Sequence, residues 1–277
     1  MSIRSILTLQ DGGKDGESTL VLAIAAARHF GAHLDVLHVR ADPETMVPVV
    51  GEAMTGAMVE QMMETMADVV AARAARARAA FDKLCGPSGL SVEWREQTGR
   101  EPELVAAASR TADLTVVGRP TDSGDGPMAA TVDAVLFETG RPALLAPVGI
   151  AAPAFVHVAV AWDGSAQAAR AVDAGMPFLR RARQVTLLTA AGGDPLAPVE
   201  RLVPYLSRHD VRAAIETFTP GSHSHALGRA LLGEVKRVGA DLLVMGAYGH
   251  SRLREMIFGG ATRDVLAEST TPVLMAH

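Results

Sequence analysis

Along the chain, apolar residues fall into two kinds of stretch. Short, almost unbroken runs rich in Val, Ile and Leu lie at 3–9, 34–39, 90–95, 113–117 and 142–146, and again at 155–161, 184–189, 211–217, 241–245 and 272–276. Such runs predict strands buried on both faces, the pattern of a parallel sheet. Between them, at 16–30, 51–84, 102–111 and 131–139, and then at 165–181, 196–208, 222–238 and 260–269, apolar residues recur every three or four positions and predict helices. Alternation of the two predicts a doubly wound α/β architecture.

The pattern is written twice. "SILTLQDGG" (5–13) is similar to "HVAVAWDGS" (157–165), "ADLTVVG" (112–118) to "ADLLVMG" (240–246), and "RPALLAP" (141–147) to "TPVLMAH" (271–277). The offset is nearly constant for the last two pairs and about two dozen residues larger for the first, which predicts an insertion between 40 and 84. The expected organisation is two tandem five-stranded, Rossmann-type parallel-sheet domains, 1–148 and 153–277, joined near "PVGIAAPA" (147–154). The two would form an intramolecular pseudo-dimer through strands 142–146 and 272–276. Ligands of such sheets bind beyond the carboxyl ends of the strands, where this chain has Asp11 and Asp163 after the first strands and Gly118 and Gly246 after the fourth.

Composition narrows the possibilities. With 277 residues, 48% hydrophobic and 21% charged, the chain has the makings of a substantial core. A net charge of −5 argues against nucleic-acid binding, and the Arg180, Arg181, Arg183 group is expected at a helix end, where the dipole favours cations. Cys85 is the only cysteine, which excludes an internal disulfide and a multi-cysteine metal site. No apolar run reaches the roughly 20 residues of a membrane span, so a cytoplasmic protein without membrane contacts is expected.

The densest glycines lie in "GAYGHSRLREMIFGGATRDVL" (246–266). Gly246 closes a strand run, Gly249 follows after two residues, and nine more precede Gly259, Gly260, Ala261 and Thr262 at a helix start. The first turn of a helix offers unpaired N–H groups to an anion, and glycines there let phosphate oxygens approach. The spacing, the strand "DLLVMG" and the segment "VAWDGSAQAARAV" (160–172) resemble the universal stress protein family, over nearly the whole chain as two tandem domains. The resemblance implies a fold of the adenine nucleotide α-hydrolase type and a bound ATP, with Mg²⁺ expected to accompany it. It places Ala161, Asp163, Gly164 and Ala190 around the adenosine, and Gly246, Gly249, Gly259, Gly260, Ala261 and Thr262 around ribose and phosphates. The family usually has Ser or Thr after its third glycine; this chain has Gly260.

In the first half the corresponding "GRPTDSGDGPMAATVDAVL" (118–136) is two residues shorter, puts Ala129 and Val132 in place of Gly259 and Thr262, and adds Asp122, Asp125 and Pro120. No triphosphate site is expected there. "QDGGKDGEST" (10–19) resembles the loop of ATP pyrophosphatases, but Asp11 and Gly16 replace its serines. Met54, Met58, Met62 and Met66 form a stripe suited to the protein's own sheet, a second copy or a partner groove, followed by an Ala/Arg-rich helix whose cationic face is expected in solvent. His223 and His225, two apart, share no helical face for a metal. No nucleophile–base–orienter set is apparent. A nucleotide-responsive regulatory module of the stress response is expected, with a homodimer and an unidentified protein partner. Slow ATP hydrolysis or adenylyl transfer, and a nucleotide-free scaffold using the methionine stripe, are the alternatives.

Overall fold

The computed structural model describes residues 2–13, 15–42, 56–120, 127–192, 198–221, 226–248 and 260–277. The first half contributes β1 (Ser5–Leu9), α1 (Gly16–Phe30), β2 (His33–Arg40), α2 (Gly56–Cys85), β3 (Val92–Thr98), α3 (Glu101–Ser109), β4 (Leu114–Gly118), α4 (Pro127–Glu138) and β5 (Ala143–Ala146). The second repeats the plan with β6 (His157–Ala161), α5 (Ala166–Leu179), β7 (Gln184–Ala190), α6 (Leu202–Ser207), β8 (Ala214–Phe218), α7 (Ala226–Val238), β9 (Leu242–Gly246), α8 (Gly260–Glu268) and β10 (Val273–Ala276).

Small departures from the sequence expectation have local causes. Helix α4 starts at Pro127 because a proline at the first helical position forfeits no intrahelical hydrogen bond. Strand β8 starts at Ala214 rather than 211. The N–H of Val211 is still held by the Leu206 carbonyl at 3.0 Å, and Asp210 turns the chain with φ 64°.

All ten strands lie in one sheet, ordered β3-β2-β1-β4-β5-β10-β9-β6-β7-β8. Within each half the pairing is parallel; at the centre β5 meets β10 antiparallel, with Leu144 opposite Leu274. The expected pairing of 142–146 with 272–276 is therefore observed. This splice points the carboxyl ends of the two sets of strands in opposite directions.

Alternation along the strands feeds two cores, one on each face. Ile6, Val116, Val158 and Leu274 pack with α1, α2, α5 and α6, whereas Leu7, Val117, Ala159 and Met275 pack with α3, α4, α7 and α8. Each core draws on both halves. At their junction Phe30 of α1 meets Phe178 of α5 edge-on at 4.7 Å, and Phe155 meets Phe178 at 5.0 Å. Aromatic pairs of this kind contribute about 0.5–1.5 kcal/mol beyond the area they bury. The Arg181 guanidinium donates to the His29 carbonyl across the same junction.

The insertion is helix α2. Of its apolar residues only Val70, Ala77, Ala80 and Cys85 are buried, while Met58 and Val69 are more than half exposed and Met62, Met63 and Met66 are half-buried. Met54 falls outside the described residues. No helix among the described residues is long and apolar enough to cross a membrane.

Candidate functional site

At the end of β6 the chain must leave the sheet and enter α5 within four residues. Asp163 makes this possible by accepting the Ser165 N–H on Oδ1 at 2.9 Å, and Gly164 takes the left-handed conformation, φ 80°, that a side chain resists. Ser165 then caps α5, its Oγ accepting the Ala168 N–H at 3.1 Å. At the end of β9, Gly246 lies so close to this first turn that a Cβ would stand 2.6 Å from both the Ala168 N and the Gln167 carbonyl carbon. The glycine there permits the loop and the helix start to meet.

Beyond Gly246 the backbone is held twice. The Ala276 carbonyl accepts the Ala247 N–H at 2.9 Å, and the buried Thr262 hydroxyl accepts the Tyr248 N–H at 3.2 Å. Tyr248 has φ 53°, unusual for a bulky residue. Thr262 thus fastens the loop to the first turn of α8 and retains a hydroxyl proton to donate.

These elements surround a cavity of about 300 Å³. Five of the residues expected around a ligand, Ala161, Asp163, Ala190, Gly246 and Ala261, line it together. Gly164 sits in the turn behind Asp163, and Gly260 and Thr262 in the first turn of α8 beside Ala261. Gly249 and Gly259 lie outside the described residues, as do His223, His225, His250 and Arg252. Most of the remaining wall is apolar: Trp162, Leu188, Phe218, Leu227, Leu231 and Met245. Sequence inspection missed these. Their signal was the strand register, because β6, β7 and β8 are paired in step and place Ala161 beside Leu188 and Ala190 beside Phe218.

The matching place in the first half has different contents. Asp11 accepts the Gly13 N–H at 3.0 Å and Gly12 has φ 70°, so the turn itself repeats. Helix α2, however, lies on it. Arg73 donates through Nε to the Asp11 carbonyl and through Nη2 to the Asp11 carboxylate at 3.1 Å, and Arg76 Nε donates to the Gly12 carbonyl at 3.0 Å. A Cβ on Gly12 would reach within 2.2 Å of the Arg73 carbonyl oxygen. The cationic face of α2 is solvent-exposed, as expected, but at these two positions it also holds the turn, because the turn offers carbonyls and a carboxylate that the guanidinium groups satisfy.

Polar residues fill the rest. Buried Gln10 accepts the Gly12 N–H and donates to the Gly16 carbonyl, and buried His38 pairs through Nδ1 with the Gln10 carbonyl at 2.7 Å. Glu101, at the start of α3, accepts from the Thr131 hydroxyl at 2.9 Å. Burial pushes the Glu101 carboxyl above its usual range and the Asp11 charge adds to this, against the Thr131 hydrogen bond and Arg73. At the far edge of this half, His33, Asp35 and Glu93 gather within metal-ligand reach, but Asp35 already holds the Arg95 guanidinium at 3.1 Å.

Residues 155–277, nearly all of the second half, match the model of the Universal stress protein family. The second half therefore belongs to the universal stress protein family. Across both halves it is similar to a universal stress protein of the cyanobacterium Synechocystis, with 22% identity over 98% of this chain and 99% of the relative. The fold is shared with a universal stress protein from Archaeoglobus fulgidus, at 17% identity and TM-score 0.66, covering 99% of this chain and 96% of that one. It is also shared with one from Pseudomonas aeruginosa, at 15% identity and TM-score 0.57, covering 99% and 93%. The similarity in fold extends over both halves, whereas the family model matches only the second.

Proposed function

We propose that the chain is an ATP-binding regulatory module of the universal stress protein family that holds its nucleotide in the second half, with domains at 1–148 and 153–277. One observation carries this reading: Ala161, Asp163, Ala190, Gly246 and Ala261, scattered over a hundred residues, line one cavity of about 300 Å³ at the carboxyl ends of β6, β7 and β9. A cavity with an apolar wall and few polar groups suits a purine base, and Trp162 and Phe218 offer it aromatic faces. Asp163 would hold the nucleoside hydroxyls. Gly260 and Ala261, at the first turn of α8, would meet the phosphates with backbone N–H groups and the positive end of the helix dipole. With Gly260 where the family has a hydroxyl, one donor fewer is available. A hydrogen bond to a charged group is worth about 1.5–3 kcal/mol, so affinity up to about a hundredfold lower than with the hydroxyl is expected.

The ligand supplies charge: phosphates bound at the first turn of α8 would change the surface offered to a partner. No arrangement among the described residues sets up a nucleophile, so binding is the proposed role. Calorimetric titration of the full chain with Mg·ATP tests it. Binding at one site per chain is expected, and the absence of both added and co-purified adenine nucleotide would overturn it.

A further inference from the structure

Antiparallel pairing of β5 with β10 has a geometric consequence. Each half's last helix runs back toward the start of its own fifth strand, which lies beside the end of the other half's. The last turns of α4 and α8 therefore lie next to the loop that follows the fourth strand of the opposite half. Both contacts are made. Arg119, after β4, donates to the Leu266 and Ala267 carbonyls at the end of α8, where the helix dipole welcomes a cation. Tyr248, after β9, donates its hydroxyl to Asp133 Oδ1 of α4 at 3.2 Å, and its ring lies 5.1 Å from that of Phe137. Phe137 in turn meets His277, at the end of β10, at 4.6 Å.

The two contacts differ in what they hold. Arg119 caps a helix end, whereas Tyr248 stands between Gly246 and Gly249, at the head of the glycine loop. Its left-handed backbone, φ 53°, costs about 1 kcal/mol and persists only where surroundings impose it. Those surroundings come from both halves: the Thr262 hydroxyl grips the Tyr248 N–H, and Asp133 with Phe137 grips the side chain. The corresponding residues of the other contact are Pro120 and Arg263, which cannot reproduce the pair.

From this we infer that Asp133 and Phe137 of the first half are positioning residues for Tyr248, beside the second half's nucleotide site, and that the first half thereby sets the affinity of a site to which it contributes no lining residue among those described. The inference rests on the ATP-binding reading above. A ligand that needs Tyr248 in this conformation binds more tightly when the clamp has already set it, because less order remains to be imposed on binding.

A double-mutant cycle on ATP affinity, measured by calorimetry on the full chain, tests this. Tyr248→Phe and Asp133→Ala are each expected to weaken binding about three- to tenfold, and the double variant no further than either alone. Asp133→Asn, which keeps an acceptor oxygen, is expected to stay within about twofold of wild type. Wild-type-like affinity in both single variants, or losses that multiply in the double variant, would overturn the inference while leaving the ATP reading intact. A wild-type chain that binds no ATP would overturn both.

Discussion

The turn after β1 and the turn after β6 are superimposable in design and surrounded by opposite chemistry. Each has an aspartate accepting the N–H two residues on, followed by a glycine with positive φ. Around Asp163 the neighbours withdraw and leave a cavity walled by Trp162, Leu188, Phe218 and Met245. Around Asp11 they close in: Arg73 and Arg76 take the turn's carbonyls, and Gln10 and His38 stand where the second half has Trp162 and Thr189. A duplicated backbone conserves its turns because they are dictated by local geometry, while the space beside them is free to diverge. In this chain the inserted helix occupies one copy's carbonyls and the other copy stays open.

The largest effect that should separate the copies concerns the two aspartates. Asp163→Ala is expected to weaken ATP binding by about a hundredfold, the upper end of what a charged hydrogen bond supplies, whereas Asp11→Ala should leave it within about twofold. Equal losses in parallel calorimetric titrations would mean that the first half also holds nucleotide. Next in size is the pair of glycines that end the fourth strands. A Cβ at Gly246 meets backbone atoms at 2.6 Å, but at Gly118 it meets the Thr19 hydroxyl at 3.3 Å, which can yield. Gly246→Ala should therefore cost about 1–3 kcal/mol in urea unfolding and lower ATP affinity as α5 shifts, and Gly118→Ala less than about 1 kcal/mol with affinity unchanged. Similar costs at both sites would show that the two halves are packed alike where their fourth strands end.

Smaller again is the effect of Arg73→Ala. The Arg73 side chain is almost half exposed, so its ion pair with Asp11 is screened and worth about 1 kcal/mol or less. Loss of that order in stability is expected, with no second ATP site appearing, because the polar filling of Gln10, His38 and Glu101 remains. A second nucleotide bound per chain in the variant would show that Arg73 alone keeps the first half closed.

Much of this was legible in the sequence. The repeat, the ten strands and the central pairing follow from apolar runs that must be buried on both faces, and helix α1 was located to the residue. Asp163 and Gly246 could be placed at strand ends because turn chemistry and glycine spacing are local properties, whereas Ala190 was named only through the family resemblance; the three line one cavity. What could not be read were the side-chain contacts between distant elements. The arginines of α2 look like a solvated face in sequence; their commitment to the Asp11 turn depends on where a 30-residue helix lands. Trp162, Phe218 and Leu231 look like ordinary core, and only strand register turns them into a cavity wall. The Tyr248–Asp133 clamp joins residues 115 apart and needs the antiparallel splice to bring them together.

The smallest expected effect concerns Glu101, whose carboxyl lies half-buried beside the Asp11 turn, whereas the corresponding helix of the second half, α7, presents Leu227 and Leu231 to its cavity. Because burial raises its folded pKa above the usual 4.5, folding favours the protonated form. The stability this group contributes is complete below that value and declines as pH rises through the folded pKa. Glu101→Gln fixes the side chain in a neutral form that still accepts from Thr131. The variant should match wild type in urea unfolding at pH 4 and exceed it modestly at pH 7, with the difference growing between the two. A gain of equal size at both pH values would trace to packing instead. A loss at pH 7 would show that the Glu101 charge is held by Arg73 more strongly than burial opposes it, making the first-half cleft an ion-paired lock rather than a strained filling.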